Sequence, residues 1–189
     1  LECADVIIEM ADDICHGCMM SEYSSYYDAD WSRKYMDMHW QKPVKETLFF
    51  WHEYEKNGYL SNWFKSEFVI DDFCYQHVEQ YIMAQKAKIF HDSKCYTAIL
   101  KTDSPDECKR IGRKVANFNE EIWEQNRYRV LKEGVYAKFS QNEGLRNALL
   151  GTGNSIIAEA SPYDSIFGIK LSEEEAKKVK PEQWPGANL

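Results

Sequence analysis

The spacing of apolar positions changes character along the chain. Ile7, Met10, Ala11, Ile14 and Cys18 recur at helical intervals, which predicts an amphipathic helix over about residues 4–14. From Thr47 onward the pattern shortens: Leu48-Phe49-Phe50-Trp51 and Glu67-Phe68-Val69-Ile70 read as strands, the second followed by a turn at Asp71-Asp72. Helix signals dominate thereafter. Ser104-Pro105-Asp106-Glu107 combines a capping box with proline at the first helical position and predicts a helix to about Val115. Asn119-Glu120-Glu121 caps the next, which carries Ile122, Trp123, Val130 and Leu131 before Gly134 weakens it. Residues 155–160 predict a buried strand ended by Ser161-Pro162, and residues 173–180 a charged helix followed by Pro181 and Pro185. No repeat or low-complexity segment interrupts the chain. The expected architecture is a predominantly helical α+β domain over residues 47–189 with a few short strands, preceded by a helical extension over residues 1–46.

The run over residues 76–87 holds the chemistry of most interest. On a helix, Glu79 and Lys86 differ by about 20° around the axis and about 10 Å along it, and the Lys86 stem leans back toward the turn bearing Glu79. The gap between them is about the size of a sugar ring. Val78, Ile82, Gln85 and Ile89 form a neighbouring stripe suited to a core, which puts Glu79, Met83 and Lys86 at its border, where a charge is partly desolvated. The plainer reading is an ordinary solvated pair on a helix surface.

Composition narrows the field. The 189 residues suit one domain with an appendage, and an aromatic content of 14% with 29% charged residues marks a folded chain rather than a disordered one. The formal charge of −8 argues against a large basic groove for duplex nucleic acid. A single-stranded or flipped nucleotide can still enter a small positive pocket. No apolar run approaches the roughly 20 residues of a membrane span, and no charged leader precedes the first apolar residues, so the expected compartment is cytoplasmic. Leu1 in place of an initiator methionine suggests a fragment or a processed product. Cys3, Cys15, Cys18, Cys74, Cys95 and Cys108 are scattered and read as reduced thiols. Cys15-His16-Gly17-Cys18 has the spacer of a zinc knuckle without a second pair at a compatible distance, so it reads as a helix end and no metal is expected. Tyr23, Tyr26, Tyr27 and Trp31 read as an aromatic cover on the main domain, with the rim of a ligand cleft as the other reading.

Four segments taken together resemble one family: Leu60-Ser61-Asn62-Trp63; His77-Val78-Glu79-Gln80 with Gln85-Lys86-Ala87; Ala137-Lys138-Phe139 preceded by Trp123; and Ser161-Pro162-Tyr163-Asp164 followed by Gly168. In this order they are similar to the NADAR family, also called the YbiA-like N-glycosidases, over about residues 49–189. The resemblance implies cleavage of an N-glycosidic bond to ribose, in riboflavin-pathway intermediates or in ADP-ribosyl-guanine, free or within nucleic acid, with no metal or redox cofactor. It implies Glu79, Lys86 and Asp164 as catalytic residues and Asn62, Trp123, Lys138 and Gly168 as substrate-binding ones. Glu79 would give a proton to the leaving base if burial raises its pKa, and a desolvated Lys86 amine would attack the anomeric carbon. Asp164 would hold ribose hydroxyls or stabilise the cation, and Trp123 would stack on a base. Read alone, Trp123 is a core residue and Asp164 a turn former. Lys138 would lie about 22 Å beyond Trp123 on an unbroken helix, so either the helix breaks near Gly134 or the two hold different parts of a long ligand such as ADP-ribose.

The chain departs from the family pattern at Phe167 and Lys170, where tryptophan and glycine are commoner, and at His77, which replaces a small hydroxyl residue. It also stops after Leu189, where the family continues into a closing helix. A nucleotide-binding module without turnover is the alternative these departures permit. A further expectation is that residues 1–46 provide a surface for a protein partner.

Overall fold

The computed structural model describes residues 46–189. The helix over 4–14, the Cys15–Cys18 pair, the aromatic cover and the partner surface all lie outside those residues. Strand β1 (Thr47–Phe50) pairs in parallel with β4 (Ile156–Glu159), with Phe50 opposite Glu159. Strands β2 (Phe68–Ile70) and β3 (Phe73–Tyr75) form an antiparallel hairpin. Asp71 and Asp72 turn it with φ of 52° and 61°, the doubly left-handed conformation whose twist matches paired strands. Sequence reading found the turn but not β3, because three residues, one of them an exposed cysteine, carry too little alternation.

Helix α1 (Val78–Ile89) is the centre of the molecule, packed by α2 (Ser93–Ile99), α3 (Pro105–Gly112) and α4 (Glu120–Gln141). Val78, Ile82, Ala84 and Ala87 are fully buried; each of the two larger ones contributes about 1.5–3 kcal/mol of transfer energy as an upper figure. The expectation that Glu79 and Met83 stand at a border is corrected. Both are buried, because neighbouring helices cover α1 on several sides. Two glycines make this closeness possible. A Cβ at Gly112 would run into the Met83 sulfur, and one at Gly134 would lie 2.8 Å from Tyr81 Cδ1 and 3.3 Å from Val78 Cγ1.

Gly134 therefore marks a helix crossing and not a break: α4 runs unbroken for 22 residues. Helix α3 starts at Pro105 as read, with Ser104 accepting from the Glu107 amide at 3.3 Å, but the return half of the capping box is missing because the Glu107 carboxylate pairs with Arg110, and the helix ends at Gly112, short of Val115. The sequence reading did not single out α2 or α5 (Glu143–Leu150). The charged tail is helical only over α6 (Glu173–Ala176), before a 3-10 turn at Pro181–Gln183.

The last residues then fold back onto β4. The Asn188 side chain accepts from the Glu159 amide at 3.0 Å and donates to the Ile157 carbonyl at 2.9 Å, so it occupies the strand's free edge. Cys74, Cys95 and Cys108 carry free thiols. Among the described residues no helix is long and apolar enough to cross a membrane.

Candidate active site

Two contacts at its first turn fix the start of α1. The His77 ring caps it by accepting the Gln80 amide at Nδ1, and the Asn62 carbonyl accepts the Glu79 amide at 3.0 Å. Glu79 is consequently held inside, at 4% exposure, with Oε1 lacking any hydrogen-bond partner. Burial pushes its carboxyl above the ordinary range; Lys109, the Trp63 side chain and Arg113 act the other way, while the nearby Asp164 charge adds to the rise.

Trp63, Lys109, Arg113 and Asp164 also line an open cleft with an empty volume of about 1020 Å³, together with Trp51, His52 and Glu159. Glu79 thus stands behind a wall shared with that cleft. Helix α3 brings the two cations because Lys109 and Arg113 are four residues apart and lie on one side. Glu159 reaches the cleft from the end of β4. Burial, reinforced by Asp164, pushes its carboxyl up to about 7. Asp164 makes its own turn, Oδ1 accepting from the Ile166 and Phe167 amides at 2.8 and 2.9 Å, so it is both turn former and cleft residue.

Lys86, two turns along α1, is half-buried, with Nζ 4.1 Å from the Phe118 ring centroid and 5.7 Å from that of Trp123. Burial lowers its pKa, against the pull of Glu120 and Glu79, and Arg113 lowers it further. Arg113 therefore acts electrostatically on both Glu79 and Lys86.

Lys86 is not among the residues lining the cleft of Trp63 and Asp164, and Trp123, Lys138, Asn62 and Gly168 fall elsewhere too. Trp123 belongs to the hydrophobic core at 7% exposure, so it forms a wall beside Lys86 rather than an open stacking platform. Lys138 is 1% exposed and donates to the Ser61 carbonyl at 2.9 Å, so its amine is held in the interior, behind Ser61. Since α4 does not break, Trp123 and Lys138 remain about 22 Å apart along its axis. Asn62 acts on Glu79 through its backbone, and its side chain borders a second, mostly apolar pocket beside Leu60 and Phe139. Gly168 is buried where a Cβ would stand 3.0 Å from the Asp164 carbonyl and 3.1 Å from that of Glu159, so it lets the Asp164 loop close against β4. Lys170 has φ of 58°, a left-handed backbone that explains why glycine suits this position.

Sequence reasoning missed Glu159, Lys109, Arg113 and Phe118. The i, i+4 basic pair after Ser104-Pro105 was the available signal for the cations. Glu159, two residues before Ser161-Pro162, has only its position at a strand end to mark it.

The NADAR domain model matches residues 49–189. N-glycosidase R617 of Acanthamoeba polyphaga mimivirus is 39% identical over 149 residues, covering 74% of this chain and 88% of that protein. N-glycosidase Npun_R5314 of Nostoc punctiforme is 29% identical over 122 residues, covering 65% and 78%. The riboflavin biosynthesis protein VVA0006 of Vibrio vulnificus is 26% identical over 125 residues, 66% of this chain but 33% of that one. The NMR structure of the Escherichia coli protein YbiA superposes with a TM-score of 0.60 at 26% identity, covering 71% of this chain and 78% of the other. The α+β fold, predominantly helical with few short strands, is that of YbiA. The chain belongs to the NADAR family.

Proposed function

We infer that this protein hydrolyses the N-glycosidic bond joining a nucleobase or aminopyrimidine to a ribose that bears phosphate, as an ADP-ribosyl or phosphoribosyl group. Hydrolysis of an N-glycosyl bond is the activity that goes with the family and with the names of R617 and Npun_R5314. The observation that carries the reading is Glu79: a buried carboxyl with one unpartnered oxygen, next to a cleft lined by two cations. A carboxyl kept neutral by burial can donate a proton where a surface carboxylate cannot.

As the C1′–N bond breaks, its electron pair goes to the base nitrogen, which takes the Glu79 proton. The lone pair of a neutral Lys86 amine forms the new bond to C1′, aided by burial that lowers its pKa. Transfer of one of the two protons on that nitrogen to the ring oxygen opens the ribose and leaves a protonated imine. Water adds to the imine, releases the sugar as its aldehyde and restores both the amine and the Glu79 proton. Asp164 stands at the cleft as the group to hold ribose hydroxyls, and Lys109 and Arg113 suit the phosphates.

Incubation with ADP-ribosylated guanine and with a phosphoribosylamino-pyrimidine, followed by chromatography of the released base, tests this. Release by the wild type and its loss in Glu79→Gln support the reading. Tight binding of either compound without release overturns it and leaves a nucleotide-binding module.

A further inference from the structure

Lys138 is the anomaly of the interior. A lysine with 1% exposure ordinarily has a carboxylate beside it, since burying an ammonium without compensation costs several kcal/mol. The contacts of this one are a backbone carbonyl, Ser61 O at 2.9 Å, and two phenyl rings, Phe139 and Phe64, with centroids 4.9 and 5.6 Å from Nζ. Burial lowers its pKa to about 7. Its stem arises from the last turns of α4, and its tip ends on a segment 77 residues earlier in the chain.

What that segment does gives the contact its meaning. Residues 61–63 are linked both to Lys138 and to Glu79. Ser61 offers its carbonyl to Lys138 and its hydroxyl to the Trp63 amide at 3.3 Å. Asn62 offers its carbonyl to the Glu79 amide at 3.0 Å. The Trp63 side chain lies close enough to the Glu79 carboxyl to lower its pKa. Ser61 and Trp63 also form part of the cleft wall. The segment lies in no helix or strand, being a turn that follows the 3-10 turn Gly58–Leu60; the Ser61 amide donates to the Gly58 carbonyl at 2.9 Å, and the Ser61 carbonyl accepts from the Phe64 amide at 3.1 Å with Lys138 as its second donor.

We propose that Lys138 is a positioning residue for the proton donor: by clamping the Ser61 carbonyl from inside the core, it fixes residues 61–63 and through them the placement of the Glu79 carboxyl. It touches no substrate. The assignment rests on Glu79 being the proton donor, but its structural part can be read without turnover. A donor reaching across the core to a loop carbonyl supplies the rigidity that a catalytic group needs from its supporting residues.

The test follows the titration of Glu79 by carboxyl-carbon NMR in the full chain, for wild type, Lys138→Met, Trp63→Phe and the double variant. The charges that face Glu79 are Lys109 and Arg113 from the α3 side, Asp164 and Glu159 from the loop and β4, and Lys86 on its own helix; all are left in place. Lys138→Met should move the Glu79 midpoint by about half a unit or more and speed exchange of the Glu79 amide about tenfold. The midpoint change should shrink to less than half when Trp63 is already phenylalanine, because the two variants cut one chain of contacts. Lys138→Gln, whose donor sits on a stem too short to reach Ser61, should behave like Lys138→Met. An unmoved Glu79 midpoint overturns the proposal and makes Lys138 a core filler. So does unfolding of both variants, since the proposal confines their effect to residues 61–63. If Glu79 responds as expected but no base is released from either substrate class, the positioning role stands and the glycosidase reading fails. If turnover is present, kcat/KM should fall about tenfold or more in Lys138→Met, with the pH profile displaced along with the Glu79 midpoint.

Discussion

The Gln80 amide donates to Nδ1 of His77 at 3.0 Å, so the imidazole that stands in for a small hydroxyl cap must carry its proton on Nε2, facing the Asp103 carbonyl at 3.1 Å. Burial lowers the ring's pKa to about 4. Between about 4 and the free value of 6.5 the folded ring binds fewer protons than the unfolded one, so its term makes stability rise with pH. Glu159, raised from 4.5 to about 7, binds more protons when folded, so its term makes stability fall with pH over nearly the same window, and the raised Glu79 has the same sign. These slopes oppose one another. Denaturant titrations from pH 4.5 to 7 should show stability falling more steeply with pH in His77→Asn than in wild type and less steeply in Glu159→Gln, each by about 1–3 kcal/mol across the window.

Glu79→Gln should lower kcat by about 10²- to 10⁴-fold, the usual worth of a general acid. Its melting temperature at pH 7 should be held or raised, because the amide is neutral at every pH and removes the cost of keeping a buried carboxyl protonated there. Single-turnover base release and a thermal melt check both halves.

Borohydride added during turnover should leave a reduced sugar on Lys86, detected by peptide mass spectrometry, and none on Lys86→Met. Active enzyme that stays unmodified would remove the imine step.

Much of the fold is legible in the sequence because local rules dominate it. The caps at Ser104 and Asn119, the aspartate turn and the period change at Thr47 act within a few residues of themselves. What escaped is set at a distance. Whether Gly134 ends α4 or admits Tyr81 depends on a helix more than 50 residues earlier, and nothing near Gly134 says so. Lys138 next to a family motif suggests ligand contact, while its 77-residue reach to Ser61 is visible only once the chain is folded. Glu79 and Asp164 were singled out by motif, whereas Glu159 gains its character from Asp164, Lys109 and Glu79 gathering around it.

Lys170→Gly should stabilise the protein by about 1 kcal/mol. A left-handed lysine pays a steric cost that glycine avoids, offset in part by glycine's looser unfolded chain. A shift of the urea midpoint without a change in slope is the expected result.

Gly134→Ala should destabilise by about 1–3 kcal/mol despite alanine's better helix propensity, because the added methyl meets Tyr81 and Val78 where α1 and α4 cross. Comparing its denaturation curve with that of an exposed control, Gly144→Ala on α5, where a Cβ meets nothing within 4 Å, separates crowding from propensity.

The burial of α1 constrains how this protein can diversify. A helix hemmed in by its neighbours tolerates few replacements, so Glu79, which it carries inside, has little room to vary. Trp51, His52 and Tyr163 border the same cleft from loops, and Tyr163 is 87% exposed. The rim can therefore change by exchange of a few side chains while the buried residues beneath it are inherited unchanged.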